Sequence, residues 1–182
     1  MVIYISMVRG INVGGKKVKM SKLKELYLSL NFKDVKTYIQ SGNVIFRSKN
    51  LDLSYLRDII EDKIANLFGF NVKVLIRTKT ELKNVLEENP FKREDFKHLY
   101  ITFLSDVPSE NLITDLNSFI EVKMKRKSDK FFISKKEIYL FLPDGYGRTK
   151  LNNNFFEKKL GVSATTRNLK SVSKLFDIAD SL

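Results

Sequence analysis

The sequence predicts an α+β fold made of two successive units with an extra C-terminal helix, and three observations predict it. Short β-branched runs alternate with segments whose apolar residues recur at i, i+3, i+4 and i+7. The order of these segments is nearly the same in both halves of the chain. Hydrophobic residues make up 43% of the 182 residues, against 8 Gly and 3 Pro. A chain of that size buries roughly 70% of its unfolded surface, so disordered, collagen-like and linker-dominated structures are excluded.

Val2–Val8 is a short, mostly apolar run and reads as a buried strand. A glycine-rich loop follows it. Leu23, Leu26, Tyr27 and Leu30 then mark one face of a helix, with Ser21 placed to cap it. Val35–Gln40 and Asn43–Arg47 read as two strands joined in a hairpin at Ser41-Gly42. Leu56, Ile59, Ile60, Ile64, Leu67 and Phe68 form a second helical face, opened by Asp52 or Ser54 and closed by Gly69. Val72–Ile76 is the next strand. Residues 1–77 therefore have the order β-α-β-β-α-β, which is ferredoxin-like.

Thr78 and Glu81 form a capping box for a helix carrying Leu82, Val85 and Leu86, which Pro90 stops. Residues 78–97 are this helix and a polar connecting segment. The unit at 98–182 opens with a strand, His98–Leu104, followed by a helical face of Leu112, Ile113, Leu116, Phe119 and Ile120. Short strands are expected at Val122–Met124, Phe131–Ser134 and Ile138–Leu142. The loop Pro143–Gly147 leads to a helix carrying Leu151, Phe155, Phe156 and Leu160. Ser163–Thr166 reads as a last strand. Leu169, Val172, Leu175, Phe176 and Ala179 give the closing helix, which Asn168 is placed to cap. Two ferredoxin-like subdomains packed together are expected, although no residue-level repeat is visible between them.

Charge bears on partners. Thirty-three Lys and Arg against 21 Asp and Glu leave a formal +12, which favours nucleic acid, phosphorylated metabolites or another anionic surface. Scattered surface lysines produce the same total without any specific partner. Lys123–Lys136 carries seven basic residues and one Asp, half of the net charge. Lys123, Lys125, Arg126, Lys127 and Lys130, beside Phe131 and Phe132, are thus a candidate nucleic-acid surface. A solvated hairpin whose Phe side chains alternate into the core is the favoured reading of that segment. Gly42-Asn-Val-Ile-Phe46 lacks the aromatics of an RNA-recognition strand, which removes that version of nucleic-acid binding.

The chain has no cysteine, so disulfides and thiolate chemistry are absent. His98 is its only histidine, and Asp106, Asp144 and Glu157 stand alone, so no metal site is expected and the cofactor is left open. The start lacks a basic n-region and reaches a charge at Arg9. No membrane association is expected, and a cytoplasmic location is. Oligomeric state is not legible.

The most informative segment is Arg9-Gly-Ile-Asn-Val-Gly-Gly-Lys16-Lys17. Its glycines free the backbone for close approach to a ligand, and its basic side chains favour an anion. It satisfies G-x4-G-K, yet Lys17 occupies the position of the magnesium-binding Ser or Thr of a P-loop. The helix also begins too late to receive phosphates at its N-terminus. A connecting loop is the alternative reading. Gln40, Ser41 and Asn43 at the hairpin tip offer polar groups, and ordinary turn chemistry accounts for them too. Arg167, beside Asn168, is placed to hold a carboxylate or phosphate, or to form a structural ion pair.

Arg9-Gly-Ile-Asn-Val-Gly-Gly, Val18-Lys-Met20 and Thr37-Tyr-Ile-Gln-Ser-Gly-Asn43-Val-Ile-Phe46 together resemble the domain of unknown function 1697 family. Thr149-Lys-Leu151 and Ala164-Thr-Thr-Arg-Asn168 resemble its C-terminal signatures, so the likeness spans essentially the whole chain. Leu169 departs from it, because the family usually has an aromatic after Arg-Asn. The resemblance implies a small, cytosolic, mostly bacterial protein of two ferredoxin-like subdomains, and it implies no activity.

The functional expectation is a binding protein for an anionic ligand, nucleotide-like or nucleic acid. Arg9, Lys16 and Arg167 would contact phosphate, and Asn12, Gln40, Ser41 and Asn43 would orient the ligand. The alternatives are an enzyme acting on a small phosphorylated or carboxylated metabolite, for which no general base or nucleophile stands out, and a protein-interaction module.

Overall fold

A computed structural model describes residues 1–123 and 128–182. Contacts divide the chain into two compact units, Met1–Asn84 with Ser173–Leu182, and Val85–Val172. The first unit runs β1 (Val2–Val8), α1 (Met20–Ser29), β2 (Lys33–Tyr38), β3 (Asn43–Ser48), α2 (Leu53–Phe68) and β4 (Val74–Thr78), followed by α3 (Lys79–Glu87). The second runs β5 (Leu99–Leu104), α4 (Glu110–Lys123), β6 (Lys130–Ser134), β7 (Glu137–Phe141), α5 (Asn153–Leu160) and β8 (Ala164–Asn168); α6 (Leu169–Asp180) follows in the chain, and from Ser173 on it is counted with the first unit.

Each unit holds one antiparallel sheet, ordered β2-β3-β1-β4 and β6-β7-β5-β8. Both are α+β and ferredoxin-like. Alternation along β1 sends Tyr4 and Val8 into a core with Leu23, Leu26 and Tyr27 of α1 and Leu56, Ile60 and Ile64 of α2. Phe46 is the aromatic centre of that core, 4.4 Å from the Phe32 ring and 5.4 Å from that of Tyr27. In the second unit Leu104, Leu140, Phe156 and Leu160 occupy the corresponding space. Ile5, Met7, Ile45 and Leu75 point to the other face of the first sheet and are buried as well.

The two units correspond position by position along their first and last strands, which the sequence did not disclose. Tyr4 pairs with Thr78 and Ile5 with Arg77, while Tyr100 pairs with Asn168 and Ile101 with Arg167. Arg77 and Arg167 are both buried, and each donates from Nη1 to the carbonyl of the residue before it, at 3.0 and 2.9 Å. Ser6 and Thr102 take the same place on the central strands. Each makes a 2.7 Å hydroxyl–hydroxyl bond, to Tyr27 and to Thr166. In each unit the last strand ends on a residue that caps the helix after it. Thr78 Oγ1 accepts from the Glu81 amide at 3.1 Å, and Asn168 Oδ1 from the Ser171 amide at 2.8 Å. The terminal helix is therefore a counterpart of α3.

Besides strand ends displaced by one or two residues, with His98 in a short turn before β5, three details depart from the sequence reading. Ser21 is not the cap of α1; Lys19 holds that position with extended backbone, and its carbonyl accepts the first helical bond from Leu23 at 3.1 Å. No strand forms at Val122, which lies with Lys123 in the last turn of α4, while Met124 is outside the described residues. The helical ladder set by Leu116 and Ile120 continues there, and Val122 is 75% exposed, so alternation would bury nothing. Leu151 precedes α5 rather than sitting in it, because Asn152 caps that helix through the Phe155 amide at 3.0 Å.

Candidate functional site

The chain between β1 and α1 is fastened at both ends. The Val8 amide donates to the Gly42 carbonyl at 2.9 Å, and the Arg9 amide to the Lys73 carbonyl at 2.8 Å. These bonds place the loop between the β2–β3 turn and the segment entering β4. Asn12 adopts φ 57°, and its side chain joins the loop to the turn. Its Oδ1 accepts from the Val18 amide at 2.9 Å, and its Nδ2 donates to the carbonyls of Val18 (3.1 Å) and Gln40 (2.7 Å). Within the loop, the Asn12 amide donates to Lys16 at 2.7 Å and the Lys17 amide to Gly15 at 2.9 Å. Residues 13–17 are left exposed on a fixed base.

Beside this loop lies a cleft of about 670 Å³, within the range of small-molecule sites. Arg9, Gly10, Val13, Gly14 and Lys16 line one part of it, Glu61 and Asp62 of α2 another, and Asn71, Val72 and Lys73 the rest. Lys16 Nζ donates to the Asn71 carbonyl at 2.9 Å and stands 5.5 Å from the Phe70 ring centroid. Glu61 is held from within at both oxygens. Its Oε1 accepts from the Val74 amide at 2.8 Å and its Oε2 from Lys73 at 3.2 Å. Asp62 is exposed and forms no hydrogen bond or ion pair among the described residues. Three cations thus face two carboxylates, one of them engaged.

Of the sequence candidates, Arg9 and Lys16 share the cleft. Asn12, Gln40, Ser41 and Asn43 belong to the neighbouring loop and turn. Gln40 is exposed, whereas Asn43 is fully buried and donates to Ser41 Oγ at 2.8 Å and to the Tyr38 carbonyl at 3.2 Å. Arg167 lies in the second unit, where Nη1 donates to Thr165 Oγ1 at 2.8 Å. Burial pulls its pKa down to about 10. Lys130 is in the same unit, 2.6 Å from Glu94 and 5.3 Å from the Phe141 ring centroid. Lys123 ends α4, and Lys125, Arg126 and Lys127 are outside the described residues. Sequence reasoning missed Glu61, Asp62, Asn71 and Lys73, which carry no local motif.

A second hollow of about 360 Å³ includes Phe32, Arg47 and Tyr55. Its Arg47 is already engaged, by Asp34 at 3.1 Å and by the Leu182 carbonyl. Among the described residues no group of three or more His, Asp or Glu could hold a metal, and no helix is long and apolar enough to cross a membrane.

Residues 1–139 match the model of a family described as "Protein of unknown function (DUF1697)". The chain belongs to the DUF1697 family. This DUF1697 chain is similar to the conserved bacterial protein SP0830 from Streptococcus pneumoniae, with a TM-score of 0.71 and 26% sequence identity over 98% of each chain. No curated protein matches it. The glycine-rich loop, α2 and the segment entering β4 all fall inside the family match.

Proposed function

We propose that this DUF1697 chain binds an anionic ligand, nucleotide-like or nucleic acid, at the cleft beside its glycine-rich loop. The observation that carries this reading is the arrangement of Arg9, Lys16 and Lys73 around one cleft whose loop is anchored by Asn12. Cations held against a preformed loop attract phosphate or carboxylate with little ordering cost on binding. Gly14 and Gly15 adopt φ 60° and 94°, and a Cβ at either would meet nothing within 4 Å. Backbone conformation, not crowding, is what glycine supplies there, and it leaves the loop open to a ligand.

The test is a titration of inorganic pyrophosphate into isotope-labelled protein, followed by amide chemical shifts. Shifts concentrated at Gly10, Gly14, Gly15 and Lys73, and lost in the Arg9→Gln/Lys16→Gln double variant, are expected. Absence of any shift in that loop at low ionic strength overturns the reading. A fluorescent oligonucleotide measured at two salt concentrations tests the nucleic-acid branch, because phosphate-backbone binding falls steeply with salt.

A further inference from the structure

Resting on the anion-binding reading above, we infer that the ligand of this cleft is a small phosphorylated compound bearing vicinal hydroxyl groups, of the ribose phosphate class, rather than a nucleic-acid strand. The cleft is of mixed charge. Arg9, Lys16 and Lys73 line it together with the carboxylates of Glu61 and Asp62. A polyanionic backbone passing through would set its phosphates against those carboxylates, and like charges in contact are costly. A compound with one anionic end avoids this by keeping its phosphate at the cations.

The two carboxylates then differ in what they can do. Each oxygen of Glu61 already accepts one bond, from the Val74 amide and from Lys73, which ties its carboxylate to its own unit. Asp62 forms no bond among the described residues, so its oxygens are available to the far end of the ligand. An ionised carboxylate only accepts hydrogen bonds, which requires donors on the ligand. An ammonium group would meet Arg9, Lys16 and Lys73 in the same cleft, whereas hydroxyls donate without adding charge. Two adjacent hydroxyls can each donate to one oxygen of a carboxylate, the way acidic side chains hold a ribose. The volume of about 670 Å³ accommodates a sugar phosphate or mononucleotide.

The experiment measures the affinities of ribose 5-phosphate, 2-deoxyribose 5-phosphate, phosphoethanolamine and inorganic phosphate for the wild type and for Asp62→Asn. Ribose 5-phosphate is expected to bind at least about tenfold tighter than its 2-deoxy analogue, as hydrogen bonds to a charged group allow. Asp62→Asn should shrink that ratio severalfold while inorganic phosphate binds as well as before or better. Equal binding of the two sugars, or an Asp62-dependent preference for phosphoethanolamine, overturns the inference and leaves anion binding standing. Failure of all four compounds, inorganic phosphate included, to shift the loop amides overturns the anion-binding reading itself. A thermal melt of Asp62→Asn serves as the folding control, and this exposed position should leave the midpoint unchanged.

Discussion

Gly42 meets two constraints at once. Its φ is +74°, and a Cβ there would stand 2.6 Å from Ile11 Cδ1, which is buried beneath the loop. Left-handed backbone and overpacking add for any other residue, so Gly42→Ala should lower stability by roughly 2–4 kcal/mol in chemical denaturation. Three residues earlier the opposite situation holds. Ile39 is β-branched, has φ 48° and is 48% exposed. Asparagine tolerates that conformation, so Ile39→Asn should raise stability by about 1 kcal/mol in the same assay. A loss of stability would mean that the exposed Ile39 side chain contributes contacts outweighing its backbone strain. Asp95 is a third local case. Acceptance of the Lys97 amide, and then of its side chain, holds this carboxyl below its usual 3.8. Its charge therefore stabilises the fold above pH 3.8, and that contribution disappears as pH falls through its own lower value. The denaturation midpoints of wild type and Asp95→Asn should differ at neutral pH and converge in acid.

At the scale of elements, the capping residues carry much of the order. Thr78 and Glu81 exchange bonds reciprocally, the Glu81 carboxylate accepting from the Thr78 amide at 2.7 Å, and Asn168 does a similar task one unit later. Thr78→Ala and Asn168→Ala should each cost about 1 kcal/mol, read as a shift in denaturation midpoint. These caps were legible because a cap is a local pattern of two residues at fixed spacing. So were Gly69, left-handed at φ +76° after α2, and the ten-residue face of α1. Ser21 misled because it is a good capping residue two places too late, and the backbone of Lys19 does the task without a side chain. The alternation at Val122–Met124 was too short to outweigh the helix already under way.

Over the whole chain, element order was enough to predict two ferredoxin-like units, although the second half was read with one strand too many, since a β-α-β-β-α-β pattern with short connections leaves few arrangements. The correspondence between units was not legible. It lives in register, shared by Tyr4 and Tyr100, and in register and burial at Arg77 and Arg167, while most other positions have changed side chain. The site divides along the same line. Arg9 and Lys16 stand in one glycine-rich run and could be read directly. Glu61, Asp62 and Lys73 reach the cleft from α2 and from the approach to β4, and only folding brings them there. The duplication of the architecture also has a consequence for stoichiometry. The connection after β1 opens with Arg9-Gly-Ile-Asn-Val-Gly-Gly-Lys16, whereas the one after β5 is Ser105-Asp-Val-Pro-Ser109, with no glycine and an acidic residue. A ligand held by the first has no counterpart seat at the second. Calorimetric titration should return one equivalent per chain, with a simple hyperbolic isotherm and none of the sigmoidal behaviour that two matched halves would permit.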